Sequence, residues 1–386
     1  MKILLINHNK RGVGTYLRAI EFGRILSASG HQVELVTCSS RALQWRVECH
    51  DAEWGGTEIV LPRFALSRFI DGHMLRAALV PILLLLRNPS TVWCFTLAHP
   101  MSAIGARFGA LIGKRVLGDW DDLWSGGFAD HHPWVVRKMI EFLESSSLRY
   151  VRALTCATES LRETAICALG FPAESCEVVP NGCSGYALTL INAAKRSPSP
   201  FPEKYILYIG NTVSDRLFDY IAAFGRSSLS SRCCLLLVGR FSDDEVSRIN
   251  NLASDRTILV GSVEREAAMR YLAHASVMVL PMRDDGIERS RFPIRFAETI
   301  AAGVPILCDK VGVVARYVSK YKLGFIVSPD EDIEGMRAIM DSEVTLEIKD
   351  EPRFKSGCER VQDQIAWPHQ TGIINHRAGH RNEPLC

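Results

Sequence analysis

The sequence has almost no excess of charge. Forty-five lysines and arginines stand against forty-three aspartates and glutamates, a net of +2. That is too little for a chain dedicated to nucleic acid, which carries a strong basic excess. Long hydrophobic runs are missing as well. The longest, AALVPILLLL, covers ten residues (Ala77–Leu86) between Arg76 and Arg87 and contains Pro81. A bilayer-spanning helix needs roughly 20, so this run can touch a membrane without crossing one. The opening MKILLINHNK has too short an apolar stretch for a secretion signal and suits a first buried strand. Twelve cysteines are present, but none in C-x-x-C spacing, and Cys233 and Cys234 are adjacent in an apolar run. Zinc-site and disulfide-framework patterns are therefore absent, and free thiols in a reducing cytoplasm are expected.

What is there is enough for two globular domains: 386 residues, 47% hydrophobic and 23% charged. Short β-rich runs alternate with helical patterns, which implies an α/β class with parallel sheets covered by helices. The strand candidates are KILLIN, QVELVT, EIVLP, TVWCFTL, KRVLGDW, ALTCAT and EVVPN in the first half. In the second they are YILYIG, CCLLLVG, TILVG, VMVLP, PILCD and GFIV. Between the halves, SGYALTLINAAKRSPSPFPEK is rich in Ser and Pro and reads as a linker. The expected division is a domain over 1–183, a linker over 184–204, a second domain over 205–343 and a terminal segment over 344–386. Ligands of open α/β sheets bind beyond the carboxyl ends of the strands, so a cleft between the domains is the expected site.

Four stretches carry chemistry. NHNKRGVGTYLR joins the first strand to the first helix, and Gly12 and Gly14 would let backbone N–H groups approach an anion or a sugar. The third glycine of a dinucleotide fingerprint is missing, and VTCSSR ends the second strand without an acid, which disfavours a nicotinamide site. LGDWDDLWSGG gathers Asp119, Asp121 and Asp122 with Trp120 and Trp124. Carboxylates can accept hydrogen bonds from sugar hydroxyls while an indole packs on the ring; the same trio could hold a divalent cation or simply cap a helix. His131 and His132 are adjacent and point apart, which argues against a metal site there. YIGNTVSDRLFDY puts Gly210 at a strand end and Arg216 near a helix start, offering backbone donors and a guanidinium to a diphosphate. In MRDDGIERSRFPIRFAETIAAGVPI, Arg291 and Arg295 bracket Pro293, which pre-sets helix entry. Glu298 can there bind a vicinal diol, or merely pair with Arg295 across one helical turn.

In their order and spacing these stretches resemble the retaining glycosyltransferases of family 4, from Met1 to about Pro329 with a further trace at Trp367. GVGTYLRAIEFGRILSASGHQVELVT is similar to the family's glycine loop, helix and second strand. LGDWDDLW is similar to its D-x-x-D-x-W segment, with Asp119, Asp122 and Trp124 in the matching places. EVVPNG and PIRFAETIAAGVPI also have family counterparts. The resemblance implies the GT-B fold: two facing Rossmann-like, doubly wound domains with a C-terminal helical crossover. It implies transfer of a sugar from a nucleoside-diphosphate donor to a hydroxyl on a glycan or lipid-linked acceptor, in polysaccharide or glycolipid assembly. Retention of anomeric configuration, no metal, no cofactor and a cytoplasmic site at or near the membrane come with it. On the same basis Glu298 binds the nucleotide ribose, and Gly14, Gly210, Asn211, Arg216, Arg291, Phe292 and Arg295 complete the donor site. Gly12, Thr15, Asp119 and Trp124 belong to the acceptor side, and Arg216, Ser290, Glu288 and Asp122 to the chemistry.

Two departures bear on activity. The family's first signature glutamate falls at Ser290, eight residues before Glu298, with Glu288 close by as a substitute. Its usual arginine after the strand end is Asn211, and its lysine is Arg216. A sugar-binding or scaffold protein of the same fold, or another sugar-nucleotide enzyme such as a 2-epimerase, therefore stays open. Arg63, Arg68, Arg76 and Arg87 around the 75–87 helix would suit a lipid-linked acceptor or a membrane face; alternatively the helix is ordinary core.

Overall fold

The computed structural model describes residues 1–64, 71–210 and 214–379; Arg68, Asn211 and the last seven residues lie outside the described residues. The chain forms two compact units, one of Met1–Asn181 with Trp367 to the C terminus, the other of Gly182–Ala366.

The strands of unit 1 are β1 (Lys2–Lys10), β2 (Gln32–Cys38), β3 (Leu43–Gln44), β4 (Glu48–Asp51), β5 (Thr57–Leu61), β6 (Arg63–Phe64), β7 (Thr91–Phe95), β8 (Arg115–Trp120), β9 (Ala153–Cys156) and β10 (Cys176–Val178). Eight of them form one sheet in the order β10-β9-β8-β7-β1-β2-β5-β4, with β3 and β6 paired apart. Every pairing in the large sheet is parallel except the edge strand β4 against β5. Ile3, Leu4, Leu5 and Ile6 are all fully buried, as a continuous apolar strand must be when helices cover both faces. Leu5 faces the cluster that includes Tyr16, Phe22 and Trp367, while Ile6 faces Gly105 on the other side.

The helices are α1 (Thr15–Ala28), α2 (His73–Arg87), α3 (Pro100–Leu111), α4 (Trp134–Leu148) and α5 (Glu159–Cys167). Helices α2, α3 and α4 pack side by side in sequence order. Of the basic residues expected around α2, Arg76 does not reach the surface: it is fully buried, donating to Pro62 O at 3.1 Å and to Asp71 O. Arg63 is likewise spent on Asp71 at 2.7 Å.

Unit 2 contains α6 (Gly185–Lys195), β11 (Tyr205–Ile209), α7 (Asp215–Arg226), β12 (Cys234–Val238), α8 (Asp243–Leu252), β13 (Thr257–Gly261), α9 (Arg265–His274), β14 (Val277–Leu280), α10 (Gly286–Ser290), α11 (Ile294–Ala302), β15 (Ile306–Asp309), α12 (Gly312–Tyr321), β16 (Gly324–Val327), α13 (Ile333–Ser342) and α14 (Pro352–Ile365). Its six strands are parallel in the order β13-β12-β11-β14-β15-β16.

The stretch 184–204 is not the expected linker. Ser184 Oγ accepts from Ala187 N at 3.0 Å and caps α6, whose Ala187, Ile191 and Ala194 are buried. Their spacing of four and three is a helix face, obscured by the Ser–Pro run that follows it. Lys195 Nζ donates to Ala301 O at 3.2 Å, tying α6 to α11. The terminal segment also divides: α14 packs on α11 and α12 within unit 2, and α15 (Trp367–Gly379) packs on α1 in unit 1. Trp367, 5% exposed, meets Phe22 edge-on with ring centroids 6.0 Å apart. Among the described residues, no helix is long and apolar enough to cross a membrane.

In each sheet the chain runs outward in both directions from an inner strand. The crevice beyond the carboxyl ends of two such strands is the default ligand site. It lies between β1 and β7 in unit 1 and between β11 and β14 in unit 2.

Candidate functional site

In unit 2 the crevice is bordered by Gly210, after β11, and by the stretch that follows β14. A side chain at Gly210 would collide with the Tyr208 hydroxyl and come within 2.8 Å of Arg295 Nη1. Gly239, at the end of β12 with φ of 151°, has no room for a Cβ against Gly210 O. Arg295 Nη1 donates to Ile209 O, so its guanidinium caps the end of β11 and does not pair with Glu298 across the helix turn.

Glu298 is 3% exposed, and its Oε1 accepts from Arg265 Nη2 at the start of α9. Arg265 was not singled out in the sequence, since the contact bridges 33 positions. Asp285 caps α10, accepting from Glu288 N at 2.9 Å. Glu288 lies on α10 with its Oε2 3.2 Å from Arg291 Nε. Burial raises its pKa, against the pull of Arg291, Arg283 and Arg295. Ser290 is buried at the end of α10, and Phe292 packs edge-on against Phe296 and Tyr317. Gly312, at φ of 60°, lets the start of α12 approach this turn: a Cβ there would sit 2.7 Å from Glu288 O. Arg291 and Arg283 remain partly exposed, at 34% and 49% of the side chain.

Arg216 does not stand in this crevice as a free cation. Its Nε donates to Asp309 Oδ1 at 2.7 Å, and its terminal nitrogens to Glu331 O at 2.8 Å, Ser328 O at 2.9 Å and Asp219 at 3.3 Å. Asp309 is fully buried and also accepts from Met282 N at 2.9 Å. A guanidinium with five donors is thereby spent on joining α7, the ends of β14 and β15, and the loop after β16. The expected diphosphate role of Arg216 gives way to that of a brace.

In unit 1, Asp119 is committed in the same manner. It is fully buried and takes two 2.8 Å bonds from Arg18, itself 1% exposed, and a 2.5 Å bond from Thr155. Arg18 further donates to Asn181 at 3.1 Å and lies 4.9 Å from the Phe22 ring centroid. This is a structural ion pair, and the expected sugar contact at Asp119 is corrected accordingly.

Asp121 is the acid that the sequence quoted but did not choose. Its Oδ2 accepts from Thr15 at 2.7 Å, and Thr96 Oγ1 lies 3.4 Å from Oδ1. Burial foremost, then the charges of Asp122 and Asp119, lift its pKa to about 7. Thr96 holds φ of 59°, a left-handed conformation that is costly for a β-branched residue and concentrates at functional sites. Asp122 and Trp124 follow it, the indole 6.1 Å from His8 and edge-on to it. Gly14 begins α1 at φ of 57°, and a Cβ there would meet Asn9 Nδ2 at 2.5 Å; Gly12 is open to solvent.

Three histidines adjoin Asp121's crevice without any sequence signal beyond lying near strand or helix ends. His8 stacks on His99 at 4.5 Å. His73 Nδ1 lies 3.0 Å from both Arg76 Nη2 and His99 Nε2. Since a guanidinium only donates, His73 Nδ1 accepts, and His99 carries its proton on Nε2. His99 Nδ1 then accepts from Met101 N at 3.2 Å. Burial pushes the pKa of His8 down to about 3 and that of His99 well below the usual value. The cluster is thus neutral at physiological pH. No group of side chains suited to a metal ion occurs among the described residues.

Comparison with known proteins agrees with this two-part architecture. Residues 11–182 match the model of the glycosyl transferase 4-like domain, and residues 203–342 that of glycosyl transferases group 1. No curated protein matches the chain. Among solved structures it is similar to sucrose-phosphate synthase from Thermosynechococcus elongatus, with a TM-score of 0.70, 18% identity and 97% of each chain covered. It is also similar to the trehalose 6-phosphate synthase of Burkholderia multivorans (TM-score 0.68, 12% identity, 98% of each chain). A third likeness is to Anabaena HepE in complex with UDP (TM-score 0.65, 15% identity, 98% of each chain). These likenesses show the GT-B fold, and the two matched domains together show the family: the chain belongs to the family 4, group 1 glycosyltransferases and is a glycosyltransferase enzyme.

Proposed function

We propose that the enzyme moves a hexose-like sugar from a nucleoside diphosphate to an acceptor hydroxyl with retention of anomeric configuration, in polysaccharide or glycolipid assembly. One observation carries the reading: the arginine-rich stretch from Arg283 to Glu298 falls at the strand-end crevice of unit 2, where open α/β sheets bind ligands. The UDP bound by HepE supports a nucleotide there. In this reading Glu298, steadied by Arg265, accepts hydrogen bonds from the ribose diol. The bond between the anomeric carbon and the diphosphate oxygen breaks, and one to the acceptor oxygen forms. Arg291 and Arg283, with Arg295 behind them, face the charge that builds on the leaving diphosphate, and no metal is required. Within unit 1, Asp121, whose pKa burial lifts to about 7, is the acid best matched to hydrogen-bonding an acceptor hydroxyl, because a group poised near working pH can share its proton.

Ser290 favours a second reading, sugar-nucleotide binding without transfer, since the carboxylate nearest the expected position is Glu288, turned toward Arg291. One experiment separates the two. Thermal melts with UDP, GDP, ADP and TDP sugars should show one series raising Tm, because a ligand of the folded state alone stabilises it. NMR of the product formed with the stabilising donor should then show an unchanged anomeric configuration. A Tm shift without turnover selects the second reading; an inverted product, or no shift with any donor, overturns the first.

A further inference from the structure

One face of unit 1 has a character that sugar transfer does not require. The residues of α2 open to solvent are Met74, Leu75, Ala78, Ile82, Leu85 and Leu86, all apolar. Leu85 and Leu86 are 61% and 75% exposed. A surface helix normally turns charge outward; here Arg76 is buried and only Arg87 closes the last turn. The inner face, with Ala77, Val80 and Leu84, is already packed, so the outer stripe adds nothing to the core.

The apolar surface continues onto the β3–β4 segment. Trp45 is 75% exposed, with Leu43 and Val47 beside it. Val47 and Leu61 join Leu79, Ile82 and Leu86 around an apolar groove of about 470 Å³. In the same helix layer, α4 exposes Trp134, Val135, Met139 and Phe142. Among the charges that border these residues, Arg41 and Arg46 are exposed and flank Trp45; on α4 Lys138 is paired with Glu141 at 2.7 Å, and the exposed Arg149 follows the end of the helix. Neither Arg41 nor Arg46 has an ion-pair partner among the described residues.

We propose that this face docks unit 1 on an anionic lipid bilayer. An apolar stripe bordered by tryptophan and unpaired cations fits the boundary between headgroups and acyl chains. Helix α2 lies in the plane of that boundary, and Arg41 and Arg46 meet lipid phosphates. A second copy of the chain suits the face less well, because it would bring the same unpaired arginines to the contact. The docking does not depend on the transfer chemistry, and its test reads binding alone.

The experiment is co-sedimentation of the full chain with phosphatidylcholine vesicles, with and without phosphatidylglycerol. The wild type should partition onto the phosphatidylglycerol vesicles at low salt and be partly released at high salt. Arg41→Ser and Arg46→Ser should each weaken partitioning about fivefold, the worth of one basic residue near an anionic surface. Leu85→Glu with Leu86→Glu should weaken it at least as much, whereas Leu188→Glu, on the outside of α6, should leave it unchanged. Circular dichroism melts guard against misfolding of these exposed-site variants. Absence of wild-type binding, or equal binding by all variants, overturns the proposal. So does a concentration-dependent dimer that Leu86→Glu abolishes without any vesicle binding.

Discussion

The two crevices treat their carboxylates differently. In unit 2 each buried acid named above has an arginine against it: Asp309 with Arg216, Glu298 with Arg265, Glu288 with Arg291. In unit 1 Asp119 has Arg18, but Asp121 is met by the hydroxyls of Thr15 and Thr96, and burial, with the neighbouring acids Asp122 and Asp119, lifts its pKa to about 7. The surroundings follow suit. Unit 2 has partly exposed guanidinium groups at its strand ends, whereas unit 1 has neutral imidazoles and hydroxyls. Such a contrast suits one lobe to a phosphate-bearing ligand and the other to uncharged hydroxyls.

That contrast can be broken at three points. Removing a cation that meets developing charge is expected to cost most: Arg291→Gln should slow transfer by about 10²–10³-fold. Initial rates at saturating donor measure this, and a rate within a few-fold of wild type would take Arg291 out of the reaction. Next, Arg216→Ala should act on stability. It strands the buried Asp309 carboxylate, and breaking a buried pair from one side costs about 3 kcal/mol or more. Urea unfolding would show it, while the activity per folded molecule should fall far less than in Arg291→Gln.

The third point sharpens the comparison through pH. Asp121 has a folded pKa of about 7 against an ordinary 3.8. Between those values the folded state holds a proton that the unfolded state has released. The contribution of this group to stability therefore falls as pH rises from about 4 to about 7 and is level outside that window. Asp121→Asn should remove this slope, so that its Tm relative to wild type is higher at pH 8 than at pH 5. A wild type and variant with parallel Tm profiles would place the Asp121 pKa in the ordinary range.

Much of the fold was legible because parallel strands buried on both faces leave short apolar runs, and all thirteen expected runs contain strands. The antiparallel edge strand β4 was not, having the polar sequence Glu48–Asp51 with little apolar pattern. The linker expectation failed for a related reason: composition outweighed the apolar spacing of Ala187, Ile191 and Ala194. At the sites, the residue types were easier to read than their partners. Arg216 finds Asp309 93 positions away, and a motif cannot say that an arginine is already engaged. Asp121, Thr96 and His8 converge only because β1, β7 and β8 are neighbours in the sheet. Strand order is a tertiary property that local pattern does not encode.

Trp367 gives the chain an unusual dependency between its two ends. The indole closes a hydrophobic layer begun by Phe22, although more than three hundred positions separate them. A premature stop after Ala366 would thus spare every strand and both crevices, yet open the far side of the N-terminal sheet to water. For the same reason the N-terminal lobe cannot be excised as one continuous piece. Supplying residues 367–379 in trans as a peptide would be the simplest way to restore it.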